Sequence, residues 1–456
     1  MDDCLTIVDG RLFVEGCDAG ALAARFGTPL HVVSEDQLRR NVRRFAAAFG
    51  EGWPDGPVRI LPSIKANLVL ALRRIVTQEG AGCDTFGLGE LHAALASGVP
   101  PAWISVNGTA KDAALVDRAV AAGARITLDA AAELPLIADA ARRRGVRAKV
   151  RFRMRPDFHD LDALPSDWHE GVSVRQAAQR YKAGIPTEDL IPMGRRALAT
   201  PEVEVTGLHV HLGRQRRDLE TWRGMANGTA ALVSELSRAW DGWLPGELDV
   251  GGGFATRRDP FGRAHAPAAE PSPEAPSIEA YAEALTSALR AAFAAHGIEA
   301  GRMALEVEPG RSLYADTGVH LTTVRGVKVQ TRPVARRWVE TDTTEMFLPD
   351  GLIEGNRWTP VVTNRADSPP VVRADVVGLS CGLDVLVGDA PLPEVRIGDV
   401  MAFLDTGAYQ DAASSNFNAL PRPATVLVHG GEAEIVKRAE TIEDVFARDI
   451  VPERLA

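Results

Sequence analysis

The chain has 456 residues, enough for two or three domains with cores of their own. Its 51 Lys+Arg against 61 Asp+Glu give a formal net charge of −10, and the dispersed basic residues argue against a nucleic-acid or anionic-membrane surface. Four scattered cysteines without C-x-x-C spacing argue against a zinc knuckle or disulfide framework, and with an acidic start and no bilayer-length apolar run a cytoplasmic protein is expected.

In chain order, residues 5–8 and 12–14 read as two short strands joined by Asp9-Gly10, a hairpin turn signal. Short apolar runs then alternate with alanine-rich segments of helical period. Strands are predicted at 59–65, 82–86, 103–107, 125–129, 149–155, 206–212, 248–251 and 303–308, and helices at 88–96, 112–122, 131–144, 222–240 and 278–296. About eight such units suit a TIM-type (β/α)8 barrel. A Rossmann-like sheet is the runner-up, but no G-x-G-x-x-G follows an early strand. Segments 156–182 and 255–277 read as long loops, the second rich in Pro and Ala. Beyond Tyr314 β-branched runs at 318–329, 360–363, 371–377, 400–404 and 425–428 predict a C-terminal all-β domain. The expected division is therefore 1–30, a hairpin joining the β domain's sheet, then a barrel over 31–315 and the β domain over 316–456.

Function in a parallel barrel collects at the C-terminal ends of the strands. Lys65 ends the apolar run 58–64, where a lysine is costly unless paired, deprotonated or covalently used. It either snorkels from a strand end or forms a Schiff base with pyridoxal phosphate. The other ends carry Asp84, Asn107, Asp129, Arg153, His211, Gly251-Gly252-Gly253 and Glu308-Pro309-Gly310-Arg311. The glycine triplet is a tight turn or a phosphate cradle, His211 a structural histidine or one that stacks on a ring, and Glu308 a salt-bridged turn residue or a partner of a ring nitrogen. Each taken alone favours the structural role; together, at one barrel mouth, they favour a cofactor site.

These residues carry a family resemblance. S-I-K-A-N, C-D-T-F-G-L-G-E-L, Y-K-A-G-I, G-L-H-V-H-L-G, D-V-G-G-G, E-P-G-R, G-L-S-C-G-L-D, D-T-G-A-Y and S-S-N-F-N follow one another over nearly the whole chain. In that order the set resembles the fold type III pyridoxal-phosphate decarboxylases, most of all the diaminopimelate decarboxylase group, with ornithine and arginine decarboxylases as cousins. The resemblance implies an alanine racemase-like barrel with a C-terminal β domain. It implies pyridoxal 5'-phosphate linked to Lys65, His211 stacked on the ring, and Gly251, Gly252, Gly253, Arg311 and Tyr409 at the phosphate. Glu308 would face the pyridine nitrogen, and Asp84 and Arg153 would also line the cofactor. Cys381 would donate a proton across a homodimer interface, at a site shared by two subunits. A carboxylate on the ring nitrogen keeps it protonated and the ring a strong electron sink, which favours loss of CO₂ from an amino-acid aldimine; an arginine there would suit a racemase. Racemisation or epimerisation on the same scaffold is the alternative. The pyridoxal-phosphate homeostasis proteins of related fold consist of a barrel alone, and the β domain here argues against that reading.

Departures from the family pattern cluster on substrate recognition. The acid that follows the catalytic cysteine in the group is Gly382 here, which leaves Asp384 as a candidate replacement for gripping a distal amine. The R-P-x-L-Y segment that holds a distal carboxylate has no counterpart in Thr341-Asp342-Thr343-Thr344-Glu345-Met346-Phe347-Leu348. Arg214 stands where a serine is usual, either a solvated loop residue or one that meets a phosphate or an acidic substrate, and Gly87 replaces another serine. A decarboxylase retuned to a different amino acid is expected.

Overall fold

A computed structural model describes residues 3–166, 171–256, 275–356 and 358–455. Most of the predicted loop 255–277, and part of 156–182, lie outside the described residues. The chain divides into two compact units.

Residues 39–256 and 275–313 form the first unit. Its strands, Val58–Ile60, Cys83–Thr85, Ile104–Val106, Arg125–Leu128, Ala148–Met154, Val203–Val210, Glu247–Asp249 and Ala304–Val307, lie side by side in chain order, and the last pairs in parallel with the first. A parallel bridge between Ser63 and Asp84, with the Gly82 amide donating to the Ile60 carbonyl at 2.9 Å, joins the two remaining edges into a barrel. All eight predicted strands are present, mostly a residue or two shorter. The largest difference is at the first. Pro62 has no N–H to continue the ladder, so the strand stops at Ile60 and Lys65 sits instead on a one-turn 3₁₀ helix, Ile64–Ala66, with 46% of its side chain exposed.

Local chemistry sets the helices. Asp112 caps Ala113–Ala122 by accepting from the Leu115 amide, and Gly123, at φ +77°, ends it. Asp218 likewise caps Leu219–Ala239, three residues ahead of the predicted start. Within 156–182 the chain is not plain loop: Ser173 and Gln176 form a capping box that opens the helix Val174–Arg180.

Behind the glycine turn at 251–253 lies an aromatic cluster. Trp222 stacks on Phe254 (centroids 4.6 Å apart, planes at 7°), and Phe45, Phe49 and Tyr281 meet Phe254 at 5.8, 5.7 and 5.4 Å. The Tyr281 hydroxyl and the Trp222 indole both donate to the Arg216 carbonyl, at 2.7 and 3.3 Å. The turn therefore rests on rigid apolar packing with its polar handles satisfied.

The second unit comprises residues 3–38 and 314–455. A nine-stranded mixed sheet is built around Gly318–Gln330, a 13-residue strand flanked by Leu30–Ser34, Arg336–Thr341 and Val400–Leu404. Two expectations are corrected here. Leu30–Ser34, buried throughout, pairs with Gly318–Leu321 on one side and with Ala424–Val428 on the other, so the segment from 31 to 38 belongs to the β unit and not to the barrel. The N-terminal hairpin does not extend that sheet. With Cys17–Asp18 it makes a three-stranded sheet of its own, packing Leu5, Leu12 and Val14 against Val319, Leu321 and Val426 of the larger one.

Candidate active site

The barrel interior is held by charge rather than by apolar layers alone. Arg151, fully buried, donates to the Thr127 hydroxyl at 2.8 Å, to Glu306 at 2.6 Å and to Asp249. Arg59 and Arg125 each bridge Glu247 and Glu306. Burial would push Glu306 up, but Arg125 and Arg151 hold it at about 2. Deep ion pairs of this kind add little net stability, but removing one partner strands the other.

Above this layer Lys65, Ser63 and Asp84 form a triangle. The Lys65 ammonium donates to Asp84 Oδ2 at 2.9 Å and to Ser63 Oγ at 3.0 Å, and Ser63 donates to the same Oδ2 at 2.8 Å. Burial works against the Asp84 carboxylate; the Lys65 charge and the two hydrogen bonds outweigh it and hold Asp84 below the usual carboxylate range.

Asn107 is the pivot between carboxylates. Its carbonyl oxygen accepts from the hydroxyls of Ser105 (2.7 Å) and Thr127, which turns the amide nitrogen toward Asp84 Oδ1 (2.7 Å) and Glu308 Oε1. Burial first, then the Asp84 charge, raises Glu308 to about 7, against the opposing pull of Arg151. His209 Nε2 lies 3.4 Å from Glu308 Oε2. Burial lowers His209 to about 3, so this contact is to a neutral ring and is not an ion pair.

His211 follows the strand Val203–Val210, its ring 6.4 Å from that of His209 with planes at 26°. Its Nδ1 accepts from the Gly252 amide at 3.2 Å, which leaves the proton of the neutral ring on Nε2. Burial, with Arg153 next in weight, pushes His211 well below its ordinary value. Arg153, buried at the end of Ala148–Met154, donates to the Asn107 carbonyl at 3.4 Å.

The glycine turn admits no side chain. A Cβ at Gly251 (φ +70°) would sit 2.5 Å from His211 Nδ1, and one at Gly252 would sit 2.1 Å from the Glu308 carbonyl oxygen. At Gly253 it would sit 2.2 Å from the Gly213 carbonyl oxygen. Gly252→Ala is therefore expected to cost about 1–3 kcal/mol through overpacking against rigid backbone and to weaken anion binding at the turn. Urea unfolding and titration with a phosphate-bearing ligand check the two effects. Arg311 opens the short helix Arg311–Tyr314 beyond Pro309-Gly310, and Arg214 lies exposed after His211.

In the other unit Cys381 is exposed on the turn 380–384, where its amide donates to Asn418 Oδ1 at 2.9 Å and the Asn418 amide donates to Sγ at 3.4 Å. Tyr409, at φ +64°, precedes the four-residue helix Gln410–Ala413. Asp384 does not present itself as an amine anchor. It is 1% exposed and accepts from the Thr344 hydroxyl (3.0 Å) and the amides of Glu345 (2.6 Å) and Ser380 (2.7 Å), so it organises the cysteine turn from inside.

The barrel unit thus gathers Lys65, Asp84, Arg153, His211, the glycines and Glu308 around one set of hydrogen bonds, while Cys381, Asp384 and Tyr409 belong to the β unit. Sequence reading did not assign Ser63, Arg151, His209 or Asp249 to the site, and it left Asn107 without a role. The usable signal was alternation: Arg151 and Arg153 are two residues apart on one strand, and His209 and His211 are two apart at the end of the next.

A family model described as pyridoxal-dependent decarboxylase, pyridoxal binding domain, matches residues 35–315. The chain belongs to the pyridoxal-dependent decarboxylases. It is 30% identical over 462 residues to diaminopimelate decarboxylase of Methanocaldococcus jannaschii, covering 100% of this chain and 98% of that one. To diaminopimelate decarboxylase of Archaeoglobus fulgidus it is 30% identical over 449 residues, covering 98% and 99%. The crystal structure of the Methanocaldococcus jannaschii enzyme in complex with L-lysine superposes with a TM-score of 0.89 at 28% identity, covering 100% and 99% of the two chains. This decarboxylase is accordingly a carboxy-lyase that uses pyridoxal phosphate to decarboxylate an amino acid.

The residues present suit that cofactor. A lysine amine stands half exposed above the carboxylates, a side-chain-free turn lies beside a neutral histidine ring, and a buried carboxyl is raised to about 7. Among the described residues no helix is long and apolar enough to cross a membrane.

Proposed function

We propose that this decarboxylase acts on an amino acid other than meso-diaminopimelate, in a homodimer whose β unit supplies Cys381 to the partner's barrel. The observation that carries the decarboxylase chemistry to named residues is Glu308: a buried carboxyl, fixed by Asn107 and Arg151, at the mouth that also holds Lys65. Lys65 Nζ would carry the cofactor covalently. Gly251–Gly253 and Arg311, with Tyr409, would hold its phosphate, His211 would lie on the ring, and Glu308 would be counter-ion to the ring nitrogen. Pyridoxal phosphate, when bound, withdraws the electron pair left on Cα as CO₂ departs. Asp84 keeps the Lys65 amine oriented and charged until it is needed, and Cys381 Sγ then returns a proton to Cα.

Retuning is supported at the cysteine turn. Gly382 brings no carboxylate beside Cys381, and the nearest acid in sequence, Asp384, is spent on the turn itself. Side-by-side assays with meso-diaminopimelate, lysine, ornithine, arginine and acidic amino acids should show CO₂ release from a substrate other than meso-diaminopimelate. Preferred turnover of meso-diaminopimelate would overturn the retuning, and epimerisation without CO₂ would favour the racemase alternative.

The dimer is supported by the exposure of Cys381 together with that of Leu383, 90% exposed two residues on, in a turn otherwise well braced. Mixing inactive Lys65→Ala and Cys381→Ala chains should restore part of the activity, because one of the two mixed sites is intact. No recovery despite subunit exchange would count against the shared site. Cytoplasmic location belongs to the same reading, in keeping with four free cysteines.

A further inference from the structure

Carboxyl oxygens of Asp249 and Glu308 lie within 4.8 Å of each other, both buried. Two ionised carboxylates this close in a dry site repel, and a single proton held by the pair relieves that repulsion. Arg151 reaches both carboxyls, donating to Asp249 and lying 3.6 Å from Glu308 Oε1, while Arg59 and Arg125 are spent on Glu247 and Glu306.

We propose that Asp249 and Glu308 hold one proton between them before the cofactor is loaded, and that this is the proton the cofactor's ring nitrogen receives. The inference rests on the assignment of Glu308 to that nitrogen. The transfer balances: the carboxyl O–H bond breaks, an N–H bond forms on the pyridine, and the pair is left as two carboxylates facing one new cation. Asp249 acts through Glu308 and is a positioning residue.

The surroundings agree from every side. Glu308 is faced by Asn107, Arg151, the neutral His209, Asp84 and Lys65; Asp249 is faced by Arg151, His209, Glu306 and the Gly251 amide, which donates to Oδ1 at 2.8 Å. Burial raises both carboxyls above their ordinary range, Asp249 far above it. Neither ring nitrogen of His209 makes a hydrogen bond among the described residues, and its neutral ring adds no cation to the pair. The proton belongs to the pair and titrates with it.

Infrared difference spectroscopy tests this on the full-length chain stripped of cofactor, just below neutral pH. The probe is pyridoxine 5'-phosphate, which has the ring and phosphate but no aldehyde to react with Lys65. The expected result is a protonated-carboxyl C=O band that is lost when pyridoxine 5'-phosphate binds. That lost band should be absent from the difference spectra of both Asp249→Asn and Glu308→Gln. Asn keeps an oxygen for the Gly251 amide, and the second variant covers the case in which the first fails to fold. Binding with no change in the carboxyl region of the wild-type protein would overturn the proposal. Failure of pyridoxine 5'-phosphate to bind at all would instead overturn the site assignment beneath it.

Discussion

Lys65→Ala is expected to lower turnover on the order of 10⁴-fold or more, the scale on which loss of a covalent catalytic group is felt, and to remove the cofactor's lysine-linked absorbance. Lys65 donates to Asp84 at 2.9 Å and its charge acts on His211 beside the glycine turn, and its side chain is accessible while Asp84 is buried. The substitution also strips Asp84 of its cation. Asp84 keeps the Ser63 and Asn107 donors, and the half-exposed lysine is screened by solvent, so the stability cost should be about 1–2 kcal/mol. Lys65→Arg separates the two effects: it restores the charge beside Asp84, and with it most of the stability, but cannot restore the covalent link. Retained absorbance and turnover in Lys65→Ala would refute the assignment.

The fold was legible wherever short-range pattern decides it. Short segments rich in apolar residues, alternating with alanine-rich helical segments, marked all eight barrel strands, because a parallel strand covered on both faces is largely apolar. Pairing at a distance was not. Leu30–Ser34 looks like the start of the barrel, and nothing nearby in sequence says that its partners are Gly318–Leu321 and Ala424–Val428. At the site, the residues that end strands were readable, since barrel topology sends those ends to one mouth. Arg151, His209 and Asp249 were not, because a buried charge is recognisable only from what surrounds it, and their partners come from four other strands. For Asp384 the sequence showed only its position after the cysteine and not the hydrogen bonds that turn its carboxylate inward.

Glu308→Gln should leave the barrel folded and lower decarboxylation by about 10²–10³-fold, the scale of losing a well-placed charge at the reacting system. Gln keeps the shape and can still accept from Asn107, but it cannot neutralise a protonated ring nitrogen. The electron pair released by CO₂ loss then meets a weaker sink, so the fall should appear in kcat more than in KM. Glu308→Arg should fall further, since it sets like charges together beside Arg151. A pH signature accompanies the loss. Glu308 is raised from about 4.5 to about 7 by burial, so the folded, cofactor-free protein holds this proton more tightly than the unfolded chain does. The resulting stability is fully present below the unfolded value and is lost as pH rises through the folded one. Between about pH 4.5 and 7 the stripped wild-type enzyme should therefore lose up to about 3 kcal/mol that Glu308→Gln does not lose. Urea unfolding of the two proteins across that window measures the difference. Parallel curves would mean that Glu308 is already ionised in the free enzyme. A Gln variant with wild-type kcat would mean that the ring nitrogen takes its charge from elsewhere.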